Sequence, residues 1–218
     1  EKYIASGLPA EKMVVKSNFL DPPPQPGSGG GGYALFVGRL SAEKGIHTMI
    51  EAWKGAESAL PLKIAGDGPL RDRVMEAAAS TPSITYLGRT APDETLAFMR
   101  RAELLVFPSG SYEGMPRTVI EAFAVGTPVL ASAIGAPVSM VAPDQTGWHF
   151  APGNVLELRE KAEWSARHLP QVRALRRNAR ATFDARYTGP ANLAQLVAIY
   201  QNAQALYCAS VGSQLSRS

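Results

Sequence analysis

The chain has 218 residues, 45% hydrophobic and 19% charged, which suits one globular domain with a sizeable core. Its net charge of +3 is compatible with an anionic small ligand or a membrane surface and too weak to indicate nucleic acid. The single cysteine, Cys208, excludes an internal disulfide and suits a reducing, cytoplasmic compartment, and no apolar run approaches the ~18 residues that a membrane span needs.

In chain order, residues 1–32 read as a lead-in. A short strand is expected at Met13-Val14-Val15-Lys16, a turn at Ser17-Asn18, and then a Pro/Gly-rich linker over 21–32 that cannot pack a core. The start at Glu1 rather than Met, with no signal peptide, reads as a fragment. Residues 33–205 read as the folded domain. Tyr33-Ala34-Leu35-Phe36-Val37 is a continuous apolar strand of the kind buried on both faces. The helix after it carries Ile46, Met49, Ile50 and Trp53 on one face. The unit then repeats, with strands at 62–65, 84–87, 104–107, 128–131 and 148–150. Helices are expected at 69–79, 93–101, from Pro116 onward, and from Asn154, whose Glu157 three residues later completes a capping pair. This alternation predicts a doubly wound α/β domain, a mostly parallel sheet with helices on both faces. Helices follow over 171–186 and from Thr188, the latter with an apolar stripe of Leu193, Leu196, Val197 and Tyr200. Residues 206–218 are expected to form a tail.

Two carboxylates, Glu113 and Glu121, lie eight positions apart around the expected helix start at Pro116. Backbone N–H groups at Gly114 and Met115 would make that start an anion site. A phosphate there leaves Glu113 at one end of a ligand and Glu121 at the other, where hydroxyl groups suit them; such a ligand is a nucleotide sugar. The simpler reading pairs Glu121 with Arg117 on the surface. Arg39 and Lys44 precede another helix start, where two cations could hold a diphosphate. In parallel sheets the ligand lies beyond the carboxyl ends of the strands. Arg39, Lys44, Gly66-Asp67-Gly68 and Glu113 all follow strands.

Other motifs point elsewhere. Gly66-Asp67-Gly68-Pro69-Leu70-Arg71 has Arg71 where a dinucleotide fingerprint needs its third glycine, so it reads as a tight turn. His47, His149 and His168 share no ligand spacing, and no metal site is expected. Ser109 and Ser111 lack a nucleophile elbow. The arginines at 167–186 read first as a solvated helix face and second as contact with an anionic membrane, peripheral to it, or with a partner domain.

With these residues assembled, the chain resembles the donor-binding half of group 1 (family 4) glycosyltransferases of the GT-B fold. The matching stretches are Phe36-Val37-Gly38-Arg39-Leu40 with Glu43-Lys44-Gly45, Ile64 to Leu70, and Tyr86-Leu87-Gly88. They continue with Pro108-Ser109 through Tyr112-Glu113-Gly114-Met115-Pro116 to Ile120-Glu121-Ala122, and Gly126-Thr127-Pro128-Val129. The resemblance implies that Arg39, Lys44 and the amides of Gly114 and Met115 hold the diphosphate. It also implies that Glu113 contacts the sugar and Glu121 the ribose, that the base lies near Leu87 and Gly88, and that Gly38 and Pro116 fall within the same site. It further implies sugar transfer with retention, no metal or other cofactor, and an amino-terminal acceptor domain that this chain lacks. One departure is Ser139, which stands where such proteins often carry a glutamate. A nucleotide-sugar epimerase of similar fold and a non-catalytic nucleotide-binding domain remain as alternatives.

Overall fold

The computed structural model describes residues 2–56 and 58–215. A short helix α1 (Lys2–Ala5) and a 3₁₀ turn lead to a strap over 17–32, and the sheet follows. Its strands are β1 (Ala34–Val37), β2 (Leu62–Ala65), β3 (Ile84–Gly88), β4 (Leu104–Phe107), β5 (Val129–Ser132) and β6 (Gly147–Phe150). All pair in parallel in the order β3-β2-β1-β4-β5-β6. Between them run α2 (Ile46–Lys54), α3 (Arg71–Ser80), α4 (Pro92–Arg101), α5 (Arg117–Ala124) and α6 (Pro137–Met140). After them come α7 (Val155–Arg167), α8 (Leu169–Ala174), α9 (Arg176–Arg186) and α10 (Gly189–Leu215).

The strands are short and apolar because both faces are covered. Side chains alternate along each strand, so Ala34, Phe36, Leu104, Val106 and Leu130 join a core with α2, α3 and α7. Leu35, Leu105, Phe107, Val129 and Ala131 face the other way, onto α4, α5 and α9. The α7 cap forms as its spacing predicts, with the Asn154 side chain accepting from the Glu157 amide at 3.1 Å.

The lead-in differs from expectation. Residues 13–16 form no strand: Val14 and Val15 are 56% and 83% exposed, and apolar residues without a neighbouring ladder have nothing to pair with. The Pro/Gly-rich stretch that follows is fastened to the domain. The amides of Gly27, Gly29 and Gly31 donate to the carbonyls of Val125, Arg100 and Arg101, and those of Gly30 and Gly32 donate to Glu103 Oε1.

The arginine run is the other half of this arrangement, which corrects its reading as a solvated face. Arg176 is buried and donates to the carbonyls of Gly27, Arg100 and Ala102. Arg180 donates to Pro24 and Ala124, each at 2.7 Å. Arg173 forks onto the fully buried Glu103 at 2.9 and 2.7 Å. A planar guanidinium with five donors satisfies several backbone carbonyls at once. Arg177 and Arg186 stay exposed. The expected apolar stripe on α10 is largely exposed, Leu193 at 61% and Tyr200 at 65%. The expected tail instead continues α10 to Leu215, and residues 216–218 lie outside the described part.

Candidate functional site

The strand order reverses at β1, with β2 on one side and β4 on the other. Ligands of open parallel sheets bind beyond the strand ends at such a point. Three cavities meet there around Val37, the last residue of β1, with volumes of about 390, 700 and 810 Å³.

The smallest holds the polar pair. The loop after β1 carries Arg39 and Lys44, and the loop after β4 carries Ser109 and Glu113. The loops touch: Gly45 has φ +73°, and a Cβ there would run into the carbonyl of Pro108. The Gly110 amide donates to the Glu43 carbonyl at 2.9 Å. Across this contact Lys44 Nζ reaches Glu113 Oε1 at 2.5 Å, the side chains 28% and 20% exposed. The Ser109 hydroxyl lies 3.1 Å from both Glu113 Oε1 and the Glu43 carbonyl; with one proton it donates to one at a time. The backbone of Glu113 is also held, its carbonyl accepting from the Ala136 amide. Beside the pair, the Ser41 hydroxyl donates to Glu43 at 2.6 Å. That bond and the Glu43 amide, helped by the charges of Arg39 and Lys44, hold the Glu43 carboxyl below its ordinary value.

Helix α5 begins at Arg117, with Pro116 as its extended N-cap rather than inside its first turn. No atom crowds the place where a Gly114 Cβ would stand, so the approach to this helix start is open. Met115 is tied from outside: Asn18 Nδ2 donates to its carbonyl at 3.1 Å. One turn into α5, Glu121 accepts from Arg117 Nε at 3.0 Å. Burial pushes the Glu121 carboxyl up, with Arg117 opposing. So Glu121 makes the surface pair expected of it, and it also lines the 810 Å³ cavity with Arg117, Thr90 and Leu96. Glu113 and Glu121 open onto different cavities, with Arg117 and Val37 common to both.

The 700 Å³ cavity is polar, lined by Gly38, Arg39, Asp67, Arg89 and Thr90 among others. Gly66-Asp67-Gly68 packs as a tight turn. A Cβ on Gly66 would strike the Gly38 carbonyl, and the Leu40 amide donates to the Asp67 carbonyl at 2.9 Å. Leu87 and Gly88 end β3, with Leu87 half-buried against the core; the residues that line the cavities there are the next two, Arg89 and Thr90. Ser139 is exposed and donates to the Ala136 carbonyl. Among the described residues, no three His, Cys, Asp or Glu side chains gather as a metal site.

Sequence alone does not single out Arg89, Thr90 or the strap residues Phe19, Leu20, Asp21, Pro22 and Pro24 as lining. Ser109 lacks a nucleophile elbow but falls in the stretch that carries the family resemblance, and it lines the smallest of the three cavities. The strap has no periodicity to read, and its role depends on where it docks.

A doubly wound parallel sheet with its cleft at the switch point, and cations facing carboxylates across it, defines a Rossmann-like domain of the GT-B kind. The chain belongs to the family described as glycosyl transferases group 1, whose model matches residues 23–182. It is 28% identical over 160 residues to a D-rhamnosyltransferase, WbpZ, of Pseudomonas aeruginosa, covering 72% of this chain and 42% of that protein. It is 34% identical over 160 residues to a glycogen synthase of Mycobacterium tuberculosis, covering 69% and 38%. The chain thus spans about two-fifths of the length of these curated relatives. A variant of Staphylococcus aureus TarM, solved with UDP and other ligands, superposes with a TM-score of 0.77 at 19% identity, covering 91% of this chain and 41% of that one. Anabaena Alr3699/HepE in complex with UDP-glucose gives 0.74 at 21%, covering 94% and 60%. At these identities the likeness is one of fold. Among the described residues no helix is long and apolar enough to cross a membrane.

Proposed function

We propose that this chain is the donor-binding half of a glycosyltransferase: it holds a nucleotide-diphosphate sugar, and an acceptor domain outside this chain completes the enzyme. The observation that carries the reading is the Lys44–Glu113 pair, set beside Arg39 and an open helix start in one cavity. A diphosphate over the Gly114 and Met115 amides draws Lys44 to phosphate. Glu113 is then released to accept from sugar hydroxyls, while Glu121 accepts from the ribose. In transfer, the bond from the sugar C1 to phosphate oxygen breaks and its electron pair leaves on the diphosphate. The acceptor oxygen bonds C1 on the same face, so configuration is retained, and its proton leaves with the diphosphate. Arg39, Lys44 and the amides meet the developing charge, filling the role of a metal clamp. Two neighbours solved with UDP or UDP-glucose support a nucleotide-sugar ligand.

Calorimetry against a panel of nucleoside diphosphates and nucleotide sugars tests this. Lys44→Ala is expected to weaken nucleoside diphosphate binding by about 1.5–3 kcal/mol, roughly ten- to a hundredfold, while leaving the free nucleoside unchanged. Equal losses for both ligands would place Lys44 away from phosphate.

A further inference from the structure

The strap is absorbed neither by the sheet nor by the phosphate site, yet it forms a wall of the cavity that contains Glu121. On the donor-site reading above, the ribose sits at Glu121, and the base attached to it must enter one of two spaces. One is the polar cavity beside Arg39, Asp67 and Arg89. The other lies between the strap (Phe19, Leu20, Pro22 and Pro24) and the start of α4 (Pro92 and Leu96). A nucleobase has two flat apolar faces, and aromatic or apolar walls match them. The second space has such walls, and burial has already raised the Glu121 carboxyl in it.

We infer that the strap is a working part of the donor pocket: the nucleobase lies against Phe19 and the strap prolines, and α9 holds this wall in place through Arg180. Phe19 is 43% exposed, with Lys16 Nζ 5.7 Å from its ring centroid, so part of the ring is open to a ligand. The wall is fixed at intervals. The Asn18 side chain donates to the Met115 carbonyl, the Leu20 amide to the Tyr187 carbonyl at 3.0 Å, Arg180 to the Pro24 carbonyl, and Arg100 Nε to the Gln25 carbonyl at 3.0 Å. Phe19 is thus a binding residue and Arg180 a positioning residue.

The test is calorimetry on the whole chain with UDP, GDP, ADP and inorganic pyrophosphate. Phe19→Ala is expected to weaken the preferred nucleoside diphosphate about tenfold, with pyrophosphate binding and melting temperature unchanged, and Phe19→Tyr to restore affinity. Arg180→Met is expected to weaken the same nucleoside diphosphate and narrow the spread among the three bases, again sparing pyrophosphate. If both variants bind like the parent while Lys44→Ala loses affinity, the strap wall is overturned and the donor-site reading stands. A Phe19→Ala loss shared equally by pyrophosphate overturns the wall as well. Failure of the unaltered chain to bind any of the three nucleoside diphosphates overturns both readings.

Discussion

Glu103 and Glu121 are the same side chain, one fully and one partly buried, in opposite circumstances. Glu103 stands just before β4 and is 0% exposed. Arg173 takes both of its oxygens, and the amides of Gly30 and Gly32 add two more donors. Burial alone would raise its pKa, but Arg173 and the two amides outweigh burial and hold it below the ordinary value. Glu121, one turn into α5, has Arg117 as its one donor among the described residues, on a side chain 73% exposed. There burial wins and the carboxyl is pushed up. A buried carboxylate with every acceptor site filled is part of the scaffold. One left short of donors keeps capacity for further hydrogen bonds, which the proposed ribose contact would use.

The largest expected break of this contrast is Glu103→Ala. It leaves two amides and an arginine without their partner and frees one edge of the strap, at about 3–5 kcal/mol, the range for removing one member of a buried pair. Denaturant unfolding should show the midpoint falling sharply. Glu121→Gln should leave the fold near parental stability but weaken both nucleoside diphosphate and nucleotide sugar by about 1.5–3 kcal/mol, read by calorimetry. Glu113→Gln sharpens the distinction. It removes the charge opposite Lys44, so diphosphate affinity should hold while the sugar-bearing ligand weakens, toward the low end of the same range because glutamine keeps one acceptor.

The smallest expected effect is the pH dependence. Glu121 has a raised folded pKa, so its contribution to stability is full below the unfolded carboxylate value of 4.5 and is lost as pH rises through the folded value. Glu103 has a lowered folded pKa, so its contribution is present above that unfolded value and is lost as pH falls through the folded one. Melting temperatures measured from about pH 4 to about pH 7 should therefore show Glu121→Gln gaining on the parent as pH rises. The deficit of Glu103→Gln should grow as pH rises through the lower part of that range and shrink as pH falls. Parallel curves for either variant would mean that its carboxyl titrates alike folded and unfolded.

The sheet could be read from sequence because four-residue apolar runs such as Leu104–Phe107, buried on both faces, carry their own signature. Its helices were legible through one-sided periodicity, as in Ile46–Lys54. The site was legible to the extent that loops after parallel strands must converge. That rule placed Lys44 near Glu113 across 69 positions of sequence, though not that they would pair with each other. The strap was not legible, because its partners are backbone carbonyls and arginines far along the chain, and a Gly/Pro stretch gives no local sign of them. Arg176 and Arg180 of α9 escape a sequence reading for the same reason: side chains that look solvated on a helical wheel turn inward when carbonyls await them, while Arg177 and Arg186 stay exposed as read. Exposure of the α10 stripe was likewise invisible, since periodicity shows which face is apolar and not what covers it.

The strap also sets an order of events during synthesis. Its first residues leave the ribosome before any of their anchors exist: Ser17 waits for Asn192, 175 positions later, and Pro24 for Arg180, 156 positions later. Contacts so distant in sequence form late, because the loop between their ends must first be closed. A stretch rich in proline and glycine suits that wait, since it offers nascent neighbours little strand to pair with. The strap is thus among the earliest parts of the described chain to be made and among the last to be seated.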